Sequence, residues 1–364
     1  MAKKLKNLFS PFFIVSAALL VFGLAVKLIS VNSPAFADFW QSKIAVYPRA
    51  ALAYMTNIFP FSIAESVILC LPLIIAAVIY LSSKLKTDTW ITTFRYTLNI
   101  IAVAALIFST FLINFSAGYH TTSLDKRLDI ERSKVSAQQL YDTADRLLDG
   151  VDECIGGVDF AYGKGSSMPY DLKTLNKKLN EAYKAACKKY TFISDFYSSP
   201  KPVALSEPWT YTHIAGVYTF FSGEANININ FPDYTLPYTA AHEMAHQRGI
   251  SREEEANFVA FLVCMESDDA YIRYSAYVNA FEYVASSLNG ADGDMYKELY
   301  VNRVPQTLKN EMREYNKFFE KYRENVAATV ASTVNDTHLK MQGEKEGEKS
   351  YGLVVDLLVA YYKK

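Results

Sequence analysis

Apolar positions fall into two regimes along the chain: unbroken blocks in roughly the first third, and helical or strand spacings between charged positions beyond it. Twenty uncharged residues separate Lys6 from Lys27, 18 separate Glu65 from Lys84, and Arg95 is followed by an uncharged run from Tyr96 to Tyr119. A helix needs about 20 apolar residues to cross hydrocarbon, because no water is there to satisfy free backbone groups. The blocks therefore predict three spans, at about 8–30, 61–83 and 92–116. Residues 1–116 then form a membrane anchor, and residues 117–364 a separate domain.

In that domain, Leu140, Tyr141, Ala144, Leu147 and Leu148 give residues 123–155 a helical period, and residues 171–193 show another. Gly163-Lys164-Gly165 interrupts them. A tract rich in Tyr, Thr and Phe, from about Thr210 to Phe231, suits strands. Within it Asn226-Ile227-Asn228-Ile229-Asn230 alternates, which puts the isoleucines on one strand face and the asparagines on the other. Such a strand is either half-buried or an edge that pairs an extended peptide.

From Pro237 the period is helical again, over about 238–248, 251–283, 306–329 and 351–362. The charged Gly343–Ser350 segment reads as a connector. The last helix carries Leu353, Val354, Leu357, Leu358 and Tyr361 on one stripe and is too short to span, so it reads as a docking helix. The fold class is α+β: three transmembrane helices, then a mainly helical domain with a small sheet.

Charge orients this plan. Residues 1–120 hold nine Lys/Arg against three Asp/Glu, and the remainder 28 against 35. Lys3, Lys4 and Lys6 precede span one and Lys84 and Lys86 join spans two and three, whereas the opposite loop has only Lys43 and Arg49 near the spans. Basic flanks stay cytoplasmic, so the N-terminus is expected inside and residues 117–364 outside. Ala35-Phe36-Ala37 has the form of a signal-peptide cleavage site, but the apolar run before it exceeds the usual 7–15 residues, which favours an uncleaved anchor. Glu65 and Arg95 fall near span ends, where snorkelling accounts for them. The acidic outer part argues against a nucleic-acid partner. Cys70, Cys154, Cys187 and Cys264 have no C-x-x-C spacing; Cys154 and Cys187 are the one pair that might bridge, and independent buried thiols are the better reading.

The chemistry is concentrated at His242-Glu243-Met244-Ala245-His246. Histidines at i and i+4 project from one helix face about a turn apart, the separation one tetrahedral Zn²⁺ requires. H-E-x-x-H on a helix is the sequence form of a zinc hydrolase site. Zn²⁺ polarises a carbonyl and lowers the pKa of water. Glu243 is placed to take the proton and return it to a leaving amine. One Zn²⁺ per chain is the expected cofactor.

A third ligand is needed. Gly249 can end the helix in a left-handed turn, and Ser251 with Glu254 three residues on has capping-box spacing for the next helix. Glu253, Glu254 and Glu255 crowd its first turn, where the helix dipole favours carboxylates. Capping accounts for two of them. Glu253 is the first choice of ligand, because Asn257 shares its face one turn on and can orient it; Glu255 is the alternative.

The run from Ala241 to Gly249, continuing through Glu253-Glu254-Glu255-Ala256-Asn257-Phe258, resembles domain-of-unknown-function family 3810, bacterial membrane proteins with a few N-terminal spans and a zincin-like domain. Ser206-Glu207-Pro208, Gly223-Glu224-Ala225-Asn226 and Ser350–Asp356 extend the resemblance over most of the chain. The E-x-x-A-N segment is also similar to the glutamate helix of other membrane-linked zinc metallopeptidases, which implies Glu253 as third ligand. The chain departs from them in a short spacing of seven residues after His246, and from metzincins in having Arg252 where their third histidine stands.

These readings converge on a membrane-anchored zinc metallopeptidase that hydrolyses peptide bonds of extracytoplasmic or membrane-proximal proteins, with a polypeptide substrate and the bilayer as partners. The alternative is a non-catalytic, zinc-stabilised receptor or scaffold, against which Glu243 speaks, since metal binding alone does not need it. An intramembrane protease is disfavoured by Gln247, Arg248 and the three glutamates. His213 and His338 are candidate donors to a carbonyl oxygen in the transition state; His120 reads as an interfacial residue.

Overall fold

The computed structural model describes residues 9–84, 90–161, 164–323 and 325–363. Lys3, Lys4, Lys6, Lys86 and Gly163, used above for orientation and loop placement, lie outside the described residues. The chain starts with α1 (Pro11–Asn32), capped by Ser10, whose Oγ accepts from Phe13 N. Two short helices that hydropathy did not reveal follow, α2 (Pro34–Lys43) and α3 (Val46–Thr56). Ala35-Phe36-Ala37 lies inside α2 with Ala37 fully buried. Then come α4 (Ile63–Lys84) and α5 (Trp90–Asn114). Helices α1, α4 and α5 are long and apolar enough to cross a membrane, and they mark a multi-pass membrane protein.

Glu65 is a correction to the snorkelling account. Its carboxylate accepts from Ala204 N and Leu205 N at 2.8 and 2.9 Å, while Glu224 accepts from Ile63 N and Ala64 N at the start of α4. Each carboxylate satisfies free N–H groups of the other segment, so α4 is pinned to the domain beyond it.

After a 3₁₀ turn (Ser116–His120), α6 (Leu124–Leu128), α7 (Ala137–Ile155) and α8 (Leu172–Lys189) lead to the sheet. A Ser136/Gln139 capping box starts α7 and Asp171 caps α8. The strands are β1 (Lys201–Pro202), β2 (Gly216–Thr219) and β3 (Glu224–Ile227), with α9 (Ser206–Thr210) between the first two. The order is β1-β3-β2, β3 running parallel to β1 and antiparallel to β2. The Asn226–Asn230 alternation therefore does not mark an edge strand: β3 is the middle strand, with both edges taken. Nor do Asn226 and Asn228 face water. Asn226 Nδ2 donates to Val217 O and Thr219 Oγ1, and Asn228 Nδ2 donates to Thr210 Oγ1, while Ile229 is 43% exposed. The buried amides replace the water that unpaired polar groups of neighbouring turns would otherwise require.

The rest is helical: α10 (Leu236–Gln247), α11 (Glu253–Met265), α12 (Ala270–Ala291), α13 (Gly293–Asn302), α14 (Gln306–Glu320), α15 (Val326–Met341) and α16 (Val354–Lys363). The helix expected over 251–283 divides at Glu266–Asp269, where Asp269 caps α12, and the one expected over 306–329 divides before Asn325, which caps α15. Helices α10 and α11 are buried almost all round, enclosed by α7, α8, α12 and the apolar side of α16 in one core. All four cysteines are free.

Candidate metal centre

Local chemistry fixes the two central helices before any ligand is considered. Pro237 stands in the first turn of α10, where its missing N–H costs nothing, and Ser275 Oγ accepts from Tyr238 N. At the other end the Arg248 guanidinium lies over the Tyr183 and Phe196 rings and donates to Met244 O, Ser194 O and Phe196 O. Gly249 has φ +93°, and a Cβ there would also meet Arg49 Nη2 at 2.6 Å. Only glycine meets both demands, so the chain reverses within a few residues and α11 begins beside α10. Ser251 is not its cap: Arg252 occupies that position, and Ser251 Oγ donates to Phe115 O.

The reversal brings Glu253 Oε2 to 3.3 Å from His242 Nε2 and 3.2 Å from His246 Nε2. One donor atom from each of these three buried residues lies within 4.8 Å of the other two, a group capable of holding a metal ion. Four ligands at about 2.0–2.1 Å in a tetrahedron stand about 3.3–3.4 Å apart, so the two nitrogen–oxygen separations fit zinc. His246 Nδ1 faces Ile250 O at 2.7 Å and so carries its proton, which leaves Nε2 turned toward Glu253. Asn257 stands against His242; among the described residues neither His242 Nδ1 nor Asn257 Nδ2 has a hydrogen-bond partner, and with the amide flipped its carbonyl would hold this ring as Ile250 O holds the other.

Electrostatics agree with a buried, acceptor-rich site. Burial opposes charge on His246, yet Glu253 and Glu243 outweigh it and hold its pKa up to about 9. Burial likewise opposes ionisation of Glu253, and the two imidazoles override it, leaving the carboxyl well below the usual range. Without a cation the group is thus an imidazolium–carboxylate cluster, and a metal would take the proton's place. His242 is pushed down by burial and by His246.

Glu243 is buried, and its Oε2 makes no hydrogen bond among the described residues. Burial pushes its carboxyl up to about 8, with His246 partly offsetting. Strand β2 passes directly over it: a Cβ on Gly216 would sit 2.6 Å from Glu243 Oε1. Two cavities meet at the cluster. The larger, about 810 Å³, runs between Ile214–Gly216, α10 and α15; the smaller, about 260 Å³, lies between the cluster and Phe111, Phe115 and Phe220.

Known proteins offer one point of reference. A family model described as "Protein of unknown function (DUF3810)" matches residues 43–359. The chain belongs to this family. Comparison with curated proteins gives no match, and comparison with solved structures gives none. The matched DUF3810 segment includes α4, α5 and every residue of the cluster.

Other candidates sort by position within this DUF3810 domain. Glu255 Oε1 accepts from Leu124 N and Arg252 Nη1 and is committed to holding α6. Glu254 is buried rather than solvated as a cap. His338 lines the smaller cavity with the cluster, whereas His213 lines the larger one with its Nε2 turned to Tyr322 O at 2.8 Å. His120 ends the 3₁₀ turn and lines neither.

Two residues were missed. Arg49, read as a loop charge, is fully buried and donates to Asn114 O, to Gln41 O and to Arg248 O at the end of α10. Burial lowers its pKa to about 10. Gly216 had no signal beyond being a glycine in a strand tract, which does mark close backbone approach.

Proposed function

We propose that this protein is a membrane-anchored zinc metallopeptidase, with residues 1–116 as its anchor and residues 117–364 as a zincin-like catalytic domain outside the cytoplasm. The observation that carries the reading is the convergence of His242, His246 and Glu253 beside a buried Glu243 oxygen, unpartnered among the described residues, at the meeting of two cavities. His242, His246 and Glu253 would hold one Zn²⁺, which supplies Lewis acidity and lowers the pKa of water into the neutral range when bound. Glu243 Oε2 would receive the proton from water and deliver it to the departing amine nitrogen. Strand β2 is an outer strand of the sheet, with no further strand paired to it among the described residues, and its Gly216 lies against Glu243. An extended polypeptide paired to that edge would pass its backbone across the carboxylate.

The test is turnover of a randomised peptide library by the full chain in detergent, alongside Glu243→Gln. Cleavage by wild type, lost in the variant with its zinc retained, is expected. Equal cleavage by both proteins, or none by a zinc-loaded wild type, would overturn the reading.

A further inference from the structure

The smaller cavity has a wall that belongs to the membrane part. Phe111 lies in the last turn of α5 and Phe115 directly follows its final residue, Asn114. The Phe115 ring is 5.8 Å from the His246 ring. Arg95 and Asn114 are separated by about 29 Å of helix at 1.5 Å per residue, close to the ~30 Å of a hydrocarbon core. With Arg95 in one headgroup layer, the other boundary falls at Phe111–Asn114. Trp40, itself buried, donates its Nε1 to Ile113 O at the same level, and Phe39 beside it is exposed, as an interfacial aromatic is. The cluster thus stands at the edge of the bilayer. The cavity leading to it is aromatic on the membrane side, through Phe111, Phe115 and Phe220, and α15 closes over Phe111 with His338 and Leu339.

We infer that this cavity takes a polypeptide anchored in the same bilayer, whose apolar flank lies along Phe111, Phe115 and Phe220 and whose scissile bond sits within a few residues of the membrane surface. The inference rests on the peptidase reading and narrows its substrate class. An extended chain advances about 3.3 Å per residue and the Phe115 ring at the boundary is 5.8 Å from the His246 ring, so the cleaved bond lies within a few residues of the hydrocarbon. A soluble peptide lacks the flank that fills the aromatic wall. A peptide on a long tether shares the bilayer but has no reason to enter from that side.

The test uses full-length Glu243→Gln protein in phosphatidylcholine/phosphatidylglycerol vesicles, with Phe220 replaced by photoactivatable p-benzoylphenylalanine and zinc content checked against the parent. The probe is a randomised segment of about ten residues, joined to a Leu/Ala helix of about 20 residues or to a palmitoyl chain through a spacer of about four or about 25 residues, and also supplied free. The short-spacer probe is expected to crosslink at least about tenfold more than the long-spacer and free probes, because only it holds the segment at the cavity at high effective concentration. Either anchor counts, and the one that crosslinks identifies the source. The protein with Glu243 intact is expected to cut with the same spacer preference. Crosslinking independent of spacer, or equal for the free segment, would overturn the inference; if that protein still cuts the free segment, the peptidase reading survives. Short-spacer crosslinking without cleavage would keep the membrane-anchored ligand and remove the peptidase.

Discussion

The floor and the roof of the cleft are both helical but are built on opposite terms. In the floor, α10 and α11 are enclosed on nearly all sides, and many of their groups have fixed partners, among them Ala241 O, which accepts from Tyr183 Oη at 2.6 Å. The roof, α15, buries only Leu339, and its outer stripe of Val326, Val330 and Val334 is 55–79% exposed. It is held at its ends, by the Asn325 cap and by Lys27 Nζ donating to Gln342 Oε1. The difference teaches where precision is needed: side chains that converge on one point sit on elements with no freedom left, while the helix covering them keeps surface to spare.

The sharpest way to break this contrast is to remove chemistry from the floor without disturbing its shape. Glu243→Gln is expected to lower peptide turnover by about 10²–10⁴-fold with zinc retained, measured as kcat/KM beside metal content. Next comes the floor's tie to the membrane helices. Arg49→Met leaves the Asn114, Gln41 and Arg248 carbonyls without their donor at about 1–3 kcal/mol each, so a loss of at least about 3 kcal/mol is expected in denaturant unfolding. Gly249→Ala, which meets both a left-handed φ and the Arg49 guanidinium, is expected to cost about 1–3 kcal/mol in the same assay.

A smaller effect depends on pH. Burial pushes Glu282 in α12 up to about 7, only partly offset by Tyr234 Oη donating at 3.1 Å. The folded state binds this proton more tightly than the unfolded chain, whose value is about 4.3. Its ionisation therefore costs stability as pH rises from about 4.5 to 7, and the penalty is complete above that. Glu282→Gln should raise Tm at pH 8 and leave it nearly unchanged at pH 4; a gain at pH 4 alone would refute the sign. The smallest effect belongs to the roof: Val330→Ser and Val334→Ser should change stability by no more than about 0.5 kcal/mol.

The same contrast decides what could be read from sequence. Membrane-length helices were legible because long uncharged blocks have few other uses, and their ends came within a few residues of α1, α4 and α5. The α10–α11 reversal was legible because i, i+4 histidines and a glycine three residues later are local signals. Helix α15 was not: its Val and Thr residues have modest helix propensity, and its position follows from packing on Phe111. Asn226–Asn230 misled because alternation reports a strand period without saying which neighbours its asparagines find. Arg49, Gly216 and the Glu65–Glu224 exchange depend on residues far away in the chain, and no local pattern encodes such partners.

Zinc per chain in the purified full-length protein tests the central claim most directly, compared among wild type, His246→Ala, Glu253→Ala and Glu255→Ala. The full chain is required because Arg49 and Phe115 join the membrane part to the cluster. About one zinc is expected in wild type and in Glu255→Ala, with loss in the other two. A folded wild type that binds no zinc, or zinc that survives Glu253→Ala and is lost in Glu255→Ala, would contradict the account.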